Sequence, residues 1–122
     1  MNVLLGIGGS DDSLRALERT VERAQAAGDE LTIAVLDNPE SDREVDDIRS
    51  RIDEVLTAAE FTAEVRRVTG DPGSRLVDLA EREGFDQLVL GGGQRSPMGK
   101  IQLGHISEFV LLNSPVTVTL VR

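Results

Sequence analysis

The chain of 122 residues has no cysteine, tryptophan or tyrosine, one histidine, one lysine and three phenylalanines. Without cysteine there is no disulfide framework, no thiolate nucleophile and no cysteine zinc site. One histidine cannot build a histidine-rich metal cluster. Against 22 acidic residues stand 13 basic ones, a formal charge of −9 that repels phosphate backbones, and so few aromatics leave little surface on which bases can stack. A nucleic-acid partner is therefore not expected. No stretch approaches the roughly 20 apolar residues of a bilayer span, and the opening "MNVLLGIGGS" lacks a basic region followed by a sustained apolar run. A soluble, cytoplasmic protein is expected, with no membrane partner. The acid excess fits a solvated surface or, more sharply, adaptation to high salt, where self-repulsion is screened. Low lysine points to the second, although codon bias toward arginine yields the same count.

What is present suits one domain over residues 1–122, long enough for a single packed core. "NVLLGI" (2–7) and "LTIAVL" (31–36) are short apolar runs without helical period, as in strands covered on both faces. Between them Ser10 caps a helix whose Leu14, Leu17, Val21 and Ala24 share a face and which ends near Gly28. "SDRE" predicts a capping box of Ser41 and Glu44 opening a second helix, with Val45, Ile48, Ile52, Val55 and Ala59 as its buried stripe. "FTAEVRRV" (61–68) alternates and predicts an edge strand. Asp71, Pro72 and Gly84 bound a third helix, after which "FDQLVLGGG" is a buried strand running into glycines. Leu103, Ile106, Val110 and Leu111 predict the inner face of a last helix, ended by Asn113 and Pro115, and "PVTVTLV" (115–121) closes the chain as a strand. Alternating strands and helices imply an α/β fold with a mostly parallel five-strand sheet.

In such a sheet, ligands bind beyond the carboxyl ends of the strands, where the winding reverses. Two strands run straight into glycine there: the first at "GIGGS" (6–10) and the fourth at "GGG" (91–93). If the two are neighbours, both loops line one crevice. Glycine admits close backbone approach and the following helix N-termini carry partial positive charge, which suits a phosphate. The same glycines would also serve simply as tight turns. "GIGGSD" departs from the dinucleotide pattern at Asp11, and "GQRSPMGKI" departs from the P-loop in its spacing and at Ile101. Arg95 and the single lysine, Lys100, flank "SPMG" in this otherwise acidic chain. They are either solvated loop charges or cations facing an anion. His105, at a helix start, is expected to be neutral and to donate one hydrogen bond, or else to be a packing residue. Ser107 is two positions away and points elsewhere on a helix. Asp11 and Asp12 suit a helix N-terminus and Asp46 and Asp47 a solvated face, so no acid-base or metal site is expected.

Over essentially its whole length the chain resembles the universal stress protein family. The likeness lies in the opening strand leading to Gly9 and Ser10, in "GDPGSRLVDLAEREGFDQLVLG", in the glycine loop and in "LGHISEFVLLNSPVTVTLVR". The resemblance implies a flavodoxin-like α/β/α sandwich of strand order 3-2-1-4-5, a homodimer joined through strand 115–121, and an adenine-nucleotide site for ATP or AMP, with Mg²⁺ arriving on the phosphates. ATP-binding members carry a glycine, two residues, a second glycine, nine residues, then glycine and a hydroxyl residue. Here those positions hold Gly91, Gln94, Gly104 and His105.

The implied nucleotide contacts are Gly6, Ile7, Gly8, Val35, Gly91, Gly92, Gln94, Arg95, Lys100, Gly104 and His105, with Gly8 and the Val35 backbone near adenine and Gln94 and His105 at phosphate-loop positions. Three depart from the family. Gln94 replaces a glycine, His105 a hydroxyl residue, and Gly8 the aspartate that meets adenine. The segment after the second strand is also shorter than usual. A nucleotide-responsive module and an interaction protein whose site has lapsed both fit this pattern. An enzyme fits least, because neither a base nor an activated nucleophile is identifiable.

Overall fold

The computed structural model describes residues 1–39, 41–92 and 104–122. Five strands, β1 (Asn2–Ile7), β2 (Glu30–Leu36), β3 (Glu64–Val68), β4 (Gln87–Gly91) and β5 (Thr117–Val121), alternate with four helices. These are α1 (Asp11–Ala27), α2 (Val45–Ala59), α3 (Pro72–Arg82) and α4 (His105–Asn113). The sheet order is β3-β2-β1-β4-β5 and every pairing is parallel, as the alternation of elements predicted. Among the described residues no helix is long and apolar enough to cross a membrane.

Two-residue periodicity divides the core. Val3, Leu5 and Ile7 of β1 point to one face with Leu31, Ile33 and Val35 of β2, and pack against Leu17 and Val21 of α1 and Ile48 and Ile52 of α2. Leu4, Ala34 and Leu36 point to the other, against Leu76 and Ala80 of α3 and Val110 of α4. β1 and β2 are thus covered on both sides, which is why they read as unbroken apolar runs. Burial of each large aliphatic side chain contributes about 1.5–3 kcal/mol.

The local signals for α1 and α3 hold. Ser10 accepts from the Ser13 amide at 3.1 Å and α1 closes at the left-handed Gly28. Asp71 accepts from the Ser74 amide at 3.1 Å, with Pro72 in the first turn. Bonds from the Ser74 side chain and then its backbone hold the Asp71 carboxyl below the ordinary carboxylate range.

Three expectations are corrected. The capping box does not form, because α2 starts at Val45 with Glu44 as a cap that makes no side-chain bond. Ser41 Oγ accepts instead from the Arg43 amide at 3.2 Å, in a turn that leans on the β1–α1 loop. The later start puts Asp46 and Asp47 in the first turn of α2, where carboxylates complement the helix dipole.

β3 begins at Glu64 rather than Phe61. The Phe61 amide is taken by the Leu56 carbonyl as α2 closes through left-handed Glu60, and its ring packs on the core. In α4, Val110 is fully buried but Leu111, one residue on, is 41% exposed, so the inner face runs through Ile106, Ser107 and Val110. Leu103 lies outside the described residues.

Candidate nucleotide-binding crevice

Because β1 and β4 are neighbours, their glycine ends face one crevice of about 360 Å³ at the carboxyl edge of the sheet. That volume is within the roughly 300–1,000 Å³ of small-molecule sites. Gly6, Gly8 and Gly9 line it from β1 and the turn beyond, Gly91 and Gly92 from β4, and Gly104 and His105 from the start of α4.

One close approach shapes this edge. A Cβ on Gly91 would stand 2.3 Å from the Asp12 carbonyl oxygen, so only glycine lets the first turn of α1 rest against the end of β4. Gly9 has a φ of +91°, and a Cβ there would meet Ser41 Oγ, so it both turns the chain and admits the β2–α2 segment.

The remaining expected contacts are distributed unevenly. Ile7 and Val35 have fully buried side chains in the core beneath α1 and α2, and it is Leu36, one residue after Val35, that lines the crevice. Gly92 lines it too, but its amide is already committed to the Val121 carbonyl at 3.0 Å. Gln94, Arg95 and Lys100 lie outside the described residues.

Polar groups on the α1 side are largely satisfied internally. The Gly9 amide donates to Ser13 Oγ at 3.1 Å, and Ser10 takes the Ser13 amide. Asp11 and Asp12 occupy the first turn of α1, and Asp42 adds a third carboxylate to the wall. On the α4 side the cap is Gly104, which has no side chain to offer, and α4 makes no side-chain cap bond. His105 and Ser107 follow, with Ser107 buried beside Gly92.

Three residues from the β2–α2 segment line the crevice although the sequence did not place them at the site. Asn38 donates to the Gly8 carbonyl at 3.1 Å, and its carboxamide occupies the space a side chain at position 8 would need. Arg43 donates to the Gly9 carbonyl at 2.5 Å and pairs with Asp11 at 2.5 Å, tying the β2–α2 segment to the β1–α1 turn. Ser41 completes this wall. The signal that could have found them is position: all three follow the carboxyl end of β2, which neighbours β1 at the reversal of winding. Among the described residues no group of three or more His, Asp or Glu side chains could hold a metal ion.

Comparison with known proteins agrees with this architecture. A universal stress protein solved in complex with cAMP is 33% identical, with a TM-score of 0.77 over 100% of this chain and 96% of that one. The Arabidopsis thaliana family protein solved with AMP bound is 18% identical and shares the fold, with a TM-score of 0.67 over 99% of this chain and 90% of its own. A universal stress protein of Methanothermobacter thermautotrophicus is 43% identical over 53 residues, a match spanning 43% of this chain and 36% of that relative. The model of the universal stress protein family matches residues 1–122, and the chain belongs to that family.

Proposed function

We propose that the chain is a single-domain adenine-nucleotide-binding regulatory module of the stress response, taking ATP or AMP rather than acting as an enzyme. The observation that carries this reading is the N-terminus of α4, which has a glycine cap and no side-chain cap bond among the described residues and lines the crevice between β1 and β4. Relatives solved with cAMP and AMP support the ligand class. In this reading Gly6, Ile7, Gly8 and the Val35 backbone surround the base. Gly91, Gly92, Gln94, Arg95, Lys100, Gly104 and His105 surround the phosphates, and Mg²⁺ enters with them. The protein is cytoplasmic, and its acidic surface suits high salt.

Calorimetry with ATP, AMP and GTP in high salt tests the reading. Adenine-nucleotide binding that saturates, with little preference over GTP because Gly8 lacks a base-reading side chain, is the expected result. Replacing Arg95 and Lys100 together by alanine should weaken it by about 1–3 kcal/mol per lost charge-assisted contact. A second reading is favoured by Gln94 and His105 in the phosphate positions and by the acidic wall of Asp11, Asp12 and Asp42. In it the crevice binds no nucleotide and the protein acts through contacts with other proteins. Absence of heat with every nucleotide selects that reading.

The proposed assembly is a homodimer through strand 115–121. The two sheet edges differ: β3 carries Glu64, Arg66 and Arg67, charges of the kind that protect an edge, whereas β5 reads Thr-Val-Thr-Leu-Val. Antiparallel pairing of β5 with its own copy about a two-fold axis covers the unprotected edge. Light scattering across a dilution series should give a dimer, and Val118→Pro, which removes a backbone donor, should shift it toward monomer or aggregate. A wild-type monomer at micromolar concentration and above overturns the assembly.

A further inference from the structure

A second cavity, of about 170 Å³, lies on the α1 face of the sheet and shares no lining residue with the crevice. Its walls are mostly apolar, formed by Val3, Val89, Val121 and Ala24. Three polar features converge on it. Thr20 borders the cavity and is 6% exposed, and its hydroxyl has no hydrogen-bond partner among the described residues. A buried hydroxyl left unpaired is costly, so it is poised for a polar partner. Thr119 accepts from Gln87 Nε2 and keeps its own hydrogen to donate.

The third feature is charge. In this acidic chain most arginines are paired: Arg15 with Asp12, Arg43 with Asp11, Arg51 with Glu18, Arg66 with Glu64 and Glu83, Arg67 with Asp37, and Arg75 and Arg82 with Asp78. Among the described residues Arg19 and Arg23, like Arg49 and Arg122, pair with no carboxylate. Arg19 and Arg23 stand four residues apart on α1 and border the cavity on either side of Thr20 in sequence. Asp29 also borders it, but its carboxylate takes the Met1 ammonium at 3.1 Å.

We propose that this cavity binds a short-chain aliphatic carboxylate. The two cations Arg19 and Arg23 beside Thr20 suit the charge of one carboxylate, and the valine and alanine walls match a small branched hydrocarbon body. Inorganic phosphate fits less well, since its remaining oxygens would face those apolar walls.

An NMR titration of the full chain with isovalerate tests the assignment, with isovaleramide, acetate and inorganic phosphate as comparison probes. Isovalerate should saturate, moving the signals of Arg19 to Ala24, Val89 and Thr119 to Val121 while leaving Gly8 to Asp12 unmoved. The isosteric neutral amide should bind about tenfold more weakly or worse, because it loses the charge-assisted contacts. Acetate should also be weaker for want of the aliphatic body. The exposed pair change Arg19→Gln with Arg23→Gln should lower isovalerate affinity by a similar factor at unchanged melting temperature, and Thr20→Val should lower it too. Absence of saturation at millimolar isovalerate, equal binding of isovaleramide or phosphate, or an unaffected double variant overturns the proposal. So does movement of the Arg19 to Ala24 signals on raising protein concentration without acid, which would mean that a second copy fills the cavity.

Discussion

Two helix N-termini face the same crevice, and they are built in opposite ways. α1 enters with a serine cap, two aspartates in its first turn and a loop amide returned to Ser13. α4 enters with a glycine cap, no side-chain cap bond, and His105 as its first residue. Both termini carry the positive end of a helix dipole and both hold a first-turn carboxylate, Asp11 and Asp12 in α1 and Glu108 in α4, but only α1 has a side-chain cap bond among the described residues. Proximity to a glycine-rich strand end therefore does not by itself make an anion site. What decides is whether the chain has already satisfied the donors there. Among the described residues the crevice is asymmetric, with a self-capped acidic wall on one side and a terminus without a side-chain cap on the other.

The largest expected effect comes from pushing the acidic wall away. Gly91→Ala places a Cβ 2.3 Å from the Asp12 carbonyl oxygen, a backbone atom that cannot rotate aside. Overpacking of this kind costs about 1–3 kcal/mol, to be read from the denaturant midpoint. An unchanged midpoint would mean that α1 does not rest on β4 as described.

Exchanging the caps sharpens the contrast at smaller cost. Ser10→Ala removes the acceptor for the Ser13 amide and should destabilise the fold by about 1 kcal/mol. Gly104→Asp should raise the midpoint by only a few tenths of a kcal/mol, since glycine is already a fair cap. Its marked effect should be on ligand binding, because the added carboxylate takes the α4 amides. If Gly104→Asp binds nucleotide as wild type does, the α4 terminus is not the anion site.

The smallest effect concerns a third terminus, that of α3. Ser74 holds the Asp71 carboxyl below its unfolded value, so its contribution is fully present above the unfolded pKa of about 3.9 and is lost as pH falls through the lower folded value. Melting temperature followed from pH 5 downward should fall more gently in Asp71→Asn than in wild type. Parallel curves would show that this cap carries no charge-dependent stability.

The parts legible in the sequence were those decided within one turn or one strand. Ser10 and Asp71 cap the amides three residues on, and Leu4 and Leu5 are apolar because β1 is covered on both faces. The parts that were not legible depend on contacts across the chain. Ser41 and Glu44 have the spacing of a capping box, but Ser41 leans on Gly9, more than thirty residues earlier, and α2 starts later as a result. Phe61 carries the alternating pattern of a strand and is used to close α2 instead. In the crevice the glycines were legible because turns and close approaches require them. Asn38 and Arg43 were not, because their partners Gly8, Gly9 and Asp11 lie in a different loop.

The asymmetry of the crevice is tested most directly by backbone amide NMR during titration with AMP. The account predicts saturable shifts concentrated at Gly104 to Ser107, with the amides of Asp11 to Ser13 moving little, and loss of the response in Gly104→Asp. Shifts largest at Asp11 to Ser13, or a response that survives Gly104→Asp, would contradict it.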